Sequence, residues 1–370
     1  MTTREKPPFR AEHVGSLLRP RELKEARADC QAGRIAPEAL RVIEDKTIRR
    51  LAAQQEDLGL LAVTDGELRR DSWHMDFYKQ IGGLKERGAA PIRFHNAGGD
   101  IEYVMPALHI EAKLHLPKTI FEADFAFLKS IAKATPKLTI PSPSVLHRRA
   151  IAALDNASIY ADIDAFWTDL AAVYAEEIAR LGALGCTYLQ IDDTSFATLC
   201  DPAQRAALNK IGADGEHIHE TYIRVFNAAV KARPRGMSIA THTCRGNHRS
   251  AWFASGGYDF IAEALFNRLD VDGFFLEYDD ERSGGFAPLR FLPNGKYAVL
   301  GLVSSKNRTL ESKDAIKRRI DEAAKYAPLE QLCVSPQCGF SSTLDGNDLS
   351  EAEQFAKLRL VSEVAREVWG

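Results

Sequence analysis

Residues 237–244 read MSIATHTC, a short β-type run that ends on a histidine and a cysteine two positions apart. Strand side chains alternate faces, so His242 and Cys244 project to the same side, and an imidazole beside a thiol is a clamp for a metal ion. Taken alone, the pair reads equally well as a core histidine and a structural cysteine. Its place in the chain decides the matter.

Seven other short runs of this kind lie at residues 10–14, 60–64, 137–141, 187–192, 271–278, 297–303 and 331–335. Between them fall helical patterns, the clearest over 37–58, 159–184, 216–233, 311–326 and 350–368. Pro37 sits near the start of one helix, and Gly59 and Gly185 follow the ends of two others. Strands alternating with helices predict a parallel α/β architecture, and eight repeats predict a (β/α)8 TIM barrel. A doubly wound open sheet would need a glycine-rich phosphate fingerprint, which the chain lacks. The fold typically takes ~250 residues, and the 370 residues here leave room for an insertion. It is expected around 90–118, where residues 92–116 alternate apolar and polar about Gly98 and Gly99, as an antiparallel hairpin added outside the barrel. With no low-complexity linker, residues 1–370 read as a single domain.

Chemistry in such a barrel sits at the carboxyl ends of the strands. His242 and Cys244 fall at such an end, Glu277 closes the run 273–277, and Cys338 follows the run 331–335. One imidazole, two thiols and one carboxylate suit Zn2+. Two thiolates and a carboxylate also make the ion electron-rich, which disfavours hydroxide generation and favours holding a substrate thiolate nucleophilic.

The rest of the composition narrows the field. A net charge of −3 argues against a broad nucleic-acid surface, and no apolar run is long enough for a membrane span, so a cytoplasmic protein is expected. The six cysteines are scattered, which fits reduced thiols. The basic stretch His147, Arg148, Arg149 reads as a solvated helix face.

The motifs HVGSLLRP (13–20), TDGELRRDSW (64–73), LQIDD (189–193), THTCRGN (241–247), FFLEYDD (274–280) and VSPQCGF (334–340) follow one another across the chain. In these the sequence resembles the catalytic barrel of the cobalamin-independent methionine synthase family, in its short single-barrel branch. The resemblance implies a methyltransferase of methionine biosynthesis, with zinc held by His242, Cys244, Glu277 and Cys338. It places the carboxylate of homocysteine at Gly15 and Ser16, and its ammonium at Glu67 and Asp192. Asp193 stands beside them where the family has a glutamate, and Lys306 stands where the family has a proton-donating histidine. Catalytic roles thus transfer to Lys306 and Asp192. The implied partners are homocysteine and a methylated folate, in a monomer or small homo-oligomer. The loop at 141–144 carries no tryptophan on which a folate ring would stack. Trp73, His74 and Tyr78 are candidates for the donor pocket, and Arg245 and Arg282 either bind a substrate anion or pair with nearby acids. Another acceptor such as coenzyme M, another donor, a zinc-binding protein without activity and metal-assisted hydrolysis are the competing readings.

Overall fold

The structure is a computed structural model that describes residues 4–96, 98–150 and 158–370, the Ala150 side chain apart. Its strands in chain order are β1 (Ala62–Val63), β2 (Gly82–Asn96), β3 (Gly99–His115), β4 (Thr135–Pro141), β5 (Tyr188–Asp193), β6 (Ser238–Thr243), β7 (Gly273–Glu277), β8 (Tyr297–Val303) and β9 (Leu332–Pro336). Seven of them form one parallel sheet in the order β1-β4-β5-β6-β7-β8-β9, with helices between successive members. The expected run 10–14 contributes a single parallel bridge, Ala11 to Val334, in which Glu12 N–H donates to Val334 O at 2.9 Å and Val334 N–H to Arg10 O at 2.9 Å. It brings the start of the chain against the last strand of the curled, TIM-like sheet.

The helices match their sequence signals. Pro37 opens the helix Pro37–Asp57, and Ser350 with Glu353 forms a capping box at the start of Glu351–Trp369. The strands of this parallel sheet are buried along nearly all their length, as parallel strands covered by helices must be, and a large apolar core lies between sheet and helices.

A smaller cluster, including Phe9, Tyr188, Ala240, Phe275, Val299 and Cys333, fills the inside of the barrel. Period-two alternation makes this cluster the foundation of the site. Two residues on from Ala240 comes His242, from Phe275 comes Glu277, and from Tyr188 come Gln190 and then Asp192. The interior therefore climbs from an apolar floor to a polar layer and then to reactive groups at the rim. The middle layer holds the buried ion pair of Lys137 and Glu12 at 3.2 Å, with Tyr188 Oη donating to Glu12 at 2.9 Å.

β2 and β3 form the expected antiparallel hairpin, but it begins near residue 82 and is longer than the alternation of 92–116 indicates. Nor does it stand clear of the barrel. His95 N–H donates to Trp252 O at 2.6 Å and Trp252 N–H to His95 O at 2.8 Å, tying the hairpin to the loop that follows β6.

Candidate metal and thiol site

A cavity of about 270 Å³ lies at the carboxyl ends of the strands. Ser16, Glu67, Asp192, Asp193, His242, Cys244 and Cys338 all line it. One ligand atom from each of His242, Cys244 and Cys338 lies within 4.8 Å of the other two, and all three residues are buried. The sulfurs of Cys244 and Cys338 are 3.5 Å apart, far beyond the ~2.05 Å of a disulfide and near the ~3.8 Å that two ~2.3 Å metal–sulfur bonds give at a tetrahedral angle. Both ring nitrogens of His242 are buried without a hydrogen-bond partner. Such a lack is costly in a core and is relieved by a cation among the three side chains. The donor chemistry, one imidazole and two thiols, fits zinc.

The loop ends are held in register. Asn247 Nδ2 donates to Gly339 O at 2.8 Å, linking the segment after Cys244 to the segment after Cys338. Arg245 N–H donates to Glu277 Oε2 at 2.8 Å, which fixes the backbone directly after Cys244.

Glu277, expected as the fourth ligand, lies outside the cluster. It is fully buried, and Oε1 accepts from Arg282 at 2.7 Å and from Lys306 at 3.1 Å. Burial raises its pKa, but Lys306, Arg282 and Arg245 outweigh that and hold the carboxyl well below its usual range. Arg245 and Arg282 are thereby acid-paired residues, which settles the choice left open for them. Lys306, expected as a proton donor, is paired with Glu277 in this structure. The ammonium does not line the cavity, and although burial lowers its pKa, Glu277 and Asp279 more than reverse this and hold the proton above the ordinary lysine range. Lys306 is a counter-ion to Glu277 here.

Glu67 and Asp192, expected to receive an ammonium, line the same cavity. Glu67 has a positive φ of 56°, an uncommon conformation for a residue with a side chain, and Asp65 Oδ1 supports the turn by accepting from Glu67 N–H at 2.9 Å. Glu67 Oε1 accepts from Thr139 Oγ1 at 2.8 Å, while Oε2 is buried with no donor. Burial pushes its pKa up, with Arg70 opposing. Asp192 accepts from Gln190 Nε2 at 2.7 Å, and burial, partly offset by His242, pushes it up to about 7. Two buried carboxyls, one with a free oxygen, make a receptor for a cation with N–H donors.

Ser16 lines the cavity; Gly15 lies behind it, with φ +149° and the space of its missing side chain taken by Thr139 Cγ2 at 2.8 Å. Any larger residue would collide there. Asp193 reaches the cavity but is otherwise engaged. Oδ2 accepts from Ser142 and Ser144, and Oδ1 from Phe196 N–H at 2.8 Å, so it shapes the loop after β4.

Trp73 and His74 line the cavity as the sequence allowed; Tyr78 does not, its hydroxyl donating to Ser142 O at 2.8 Å. Other contributors were not anticipated. Phe94, Tyr103 and Met105 of the hairpin form one wall, and Arg148 and Arg149 another part. The pair expected on a solvated face instead turns inward, and His147 beside it is buried with Nδ1 3.0 Å from Tyr222 Oη.

A parallel α/β barrel with a buried imidazole–dithiol constellation at its carboxyl rim defines a class, that of barrel proteins with donor groups suited to a thiophilic metal beside a small-molecule pocket. Residues 147–367 match the family model described as cobalamin-independent synthase, catalytic domain, and the chain belongs to the cobalamin-independent methionine synthase family of methyltransferases. It is 44% identical over 367 residues to the uncharacterized protein YxjH of Bacillus subtilis (strain 168), covering 98% of this chain and 96% of that one. A crystal structure of the putative vitamin-B12 independent methionine synthase from Listeria monocytogenes superposes with a TM-score of 0.77 at 35% identity, covering 99% of this chain and 100% of the other. More distantly, the methionine synthase of Sulfurisphaera tokodaii is 24% identical over 328 residues, 88% of this chain and 84% of the relative. Among the described residues no helix is long and apolar enough to cross a membrane.

Proposed function

We propose that the protein is a zinc-dependent S-methyltransferase that converts homocysteine to methionine. The observation that carries this reading is the opening of His242, Cys244 and Cys338 into the same cavity as Glu67 and Asp192. A metal store needs the first set and has no use for the second. His242, Cys244 and Cys338, with Glu277 reoriented as a fourth ligand, would hold the ion. Zinc bound there would supply the chemistry of removing the thiol proton at neutral pH and keeping the sulfur nucleophilic.

The protein's own groups do the rest. Glu67 Oε2 and Asp192 accept hydrogen bonds from the substrate ammonium, and Ser16 with the adjoining backbone donates to its carboxylate, which fixes the direction of the thiol. The hairpin wall keeps water from the reacting sulfur. A lone pair of that sulfur forms the new S–CH3 bond as the methyl–donor bond breaks, and the electron pair leaves on the donor, which is then protonated. A methylated folate is the donor that family membership suggests first. The single-domain organisation over 1–370 and a cytoplasmic setting belong to the same reading.

Zinc-edge absorption with and without homocysteine tests it. The amino acid is expected to add one sulfur around the metal, and a methyl donor is then expected to yield methionine by mass spectrometry. A zinc-loaded protein whose metal surroundings ignore homocysteine would overturn the assignment.

A further inference from the structure

Arg148 and Arg149 are adjacent in the last turn of the helix Pro143–Ala150, and both line the cavity. Among the described residues neither takes part in an ion pair within 4.0 Å, and Arg148 Nη1 and Arg149 Nε are buried with no hydrogen-bond partner. Among the described residues their acidic surroundings are thin. Asp193 acts on Arg148 at a distance, but its oxygens already accept from Ser142, Ser144 and Phe196; the groups acting on Arg149 are Arg148, Tyr78 and Tyr103. Burial lowers both guanidiniums, Arg149 to about 10, so both keep their charge at neutral pH. The contrast with Arg245 and Arg282, each paired with Glu277, is sharp. The helix terminus beneath the pair offers only a partial charge, roughly −0.5, against two whole positive ones. Two like charges with little counter-charge in a partly buried wall are unfavourable unless a ligand brings the counter-charge.

We infer that Arg148 and Arg149 form the anion-recognition site for the second substrate, so that the methyl donor is an anionic molecule with an apolar body. This rests on the reading of the site as a methyltransferase, in which the amino-acid carboxylate goes to Ser16 and leaves the arginine pair to the donor. Guanidiniums match carboxylate, sulfonate and phosphate through paired N–H donors. The apolar body meets Phe94, Tyr103 and Met105 of the hairpin and Phe253 of the loop after β6. Carboxylates of a folate tail and the head group of a compact anion share this chemistry.

The test uses zinc-loaded full-length protein and two nearly isosteric probes, benzenesulfonate and neutral methyl phenyl sulfone, with affinities read by calorimetry. The sulfonate is expected to bind at least ~10-fold more tightly to the wild type. The double variant Arg148→Gln/Arg149→Gln is expected to erase the preference, and Arg148→Lys/Arg149→Lys to keep part of it, which separates lost charge from lost fold. Equal affinity for the two probes in the wild type, or an undiminished preference in the glutamine variant, overturns the inference. Homocysteine binding is measured in the same samples. If the amino acid binds and the sulfonate preference is missing, the anion site fails and the methyltransferase reading stands; if the preference is present and homocysteine does not bind, the reverse holds. Tetrahydrofolates with one and three glutamates then separate the sources. Tighter binding of the triglutamate that depends on the arginine pair assigns the site to a tail, and equal binding assigns it to a compact anion.

Discussion

At the inner end of the cavity, His242, Cys244, Cys338, Glu67 and Asp192 stand on strand ends or on the turns directly after them. At the outer end, Phe94, Tyr103 and Met105 arrive on an inserted hairpin, and Arg148 and Arg149 on the last turn of a short helix. The inner residues inherit their positions from the barrel, because each strand's alternation and register is locked by its neighbours. The outer ones depend on how far an insertion reaches and which side of a helix it covers. On the proposed reading, acceptor chemistry is built into the scaffold, and donor recognition is mounted on parts that can change without disturbing it.

The largest effect should come from breaking the inner half at the metal. Cys338→Ser is expected to lose stoichiometric zinc and to lower thioether formation by at least ~10³-fold, measured by metal analysis and product mass; full activity would remove the ion from the reaction. Glu67→Gln comes next, with homocysteine KM expected to rise about 10- to 100-fold and donor KM to stay put. The sign of its pH dependence follows from the raised Glu67 carboxyl, which faces Arg70, Arg19, Asp65 and Thr139. Protonation removes the charge that attracts the ammonium, so wild-type homocysteine KM should climb as pH falls toward that pKa. The glutamine variant should lack this acid limb. Tyr103→Ala tests the outer half and is expected to raise donor KM by roughly 3- to 10-fold, with homocysteine KM unchanged within ~2-fold. An equal effect on both substrates would dissolve the division into halves. The smallest effect is expected from Lys306→Gln, a change of kcat below about 10-fold with the alkaline limb of the pH profile retained. Disappearance of that limb would return Lys306 to the role of proton donor.

The inner half was largely legible in the sequence because alternation is a local property. His242 and Cys244 share a face for the same reason that Ala240 lies beneath them. Cys338 could be placed because it follows a strand by a few residues. Glu277 was legible as a buried carboxylate at a strand end, but its partners were not: Lys306, Arg245 and Arg282 come from three separate segments. The outer half was hidden for a different reason. The hairpin's alternation shows that it is a hairpin, yet says nothing of where it leans, which is set by the link of His95 to Trp252. Arg148 and Arg149 carry the composition of a wetted surface and lie inside because the hairpin covers them.

The bridge between Ala11 and Val334 joins two parts of the chain that are far apart in sequence. Cys338 follows Val334 by a few residues, so the contact that brings the first run against the last strand also positions the second thiol. A nascent chain holding only His242 and Cys244 has half a clamp, and pairings so distant in sequence form late because their loop-closure cost comes first. Metal capture is thus expected to come late in folding, leaving partly folded chains poor competitors for the ion.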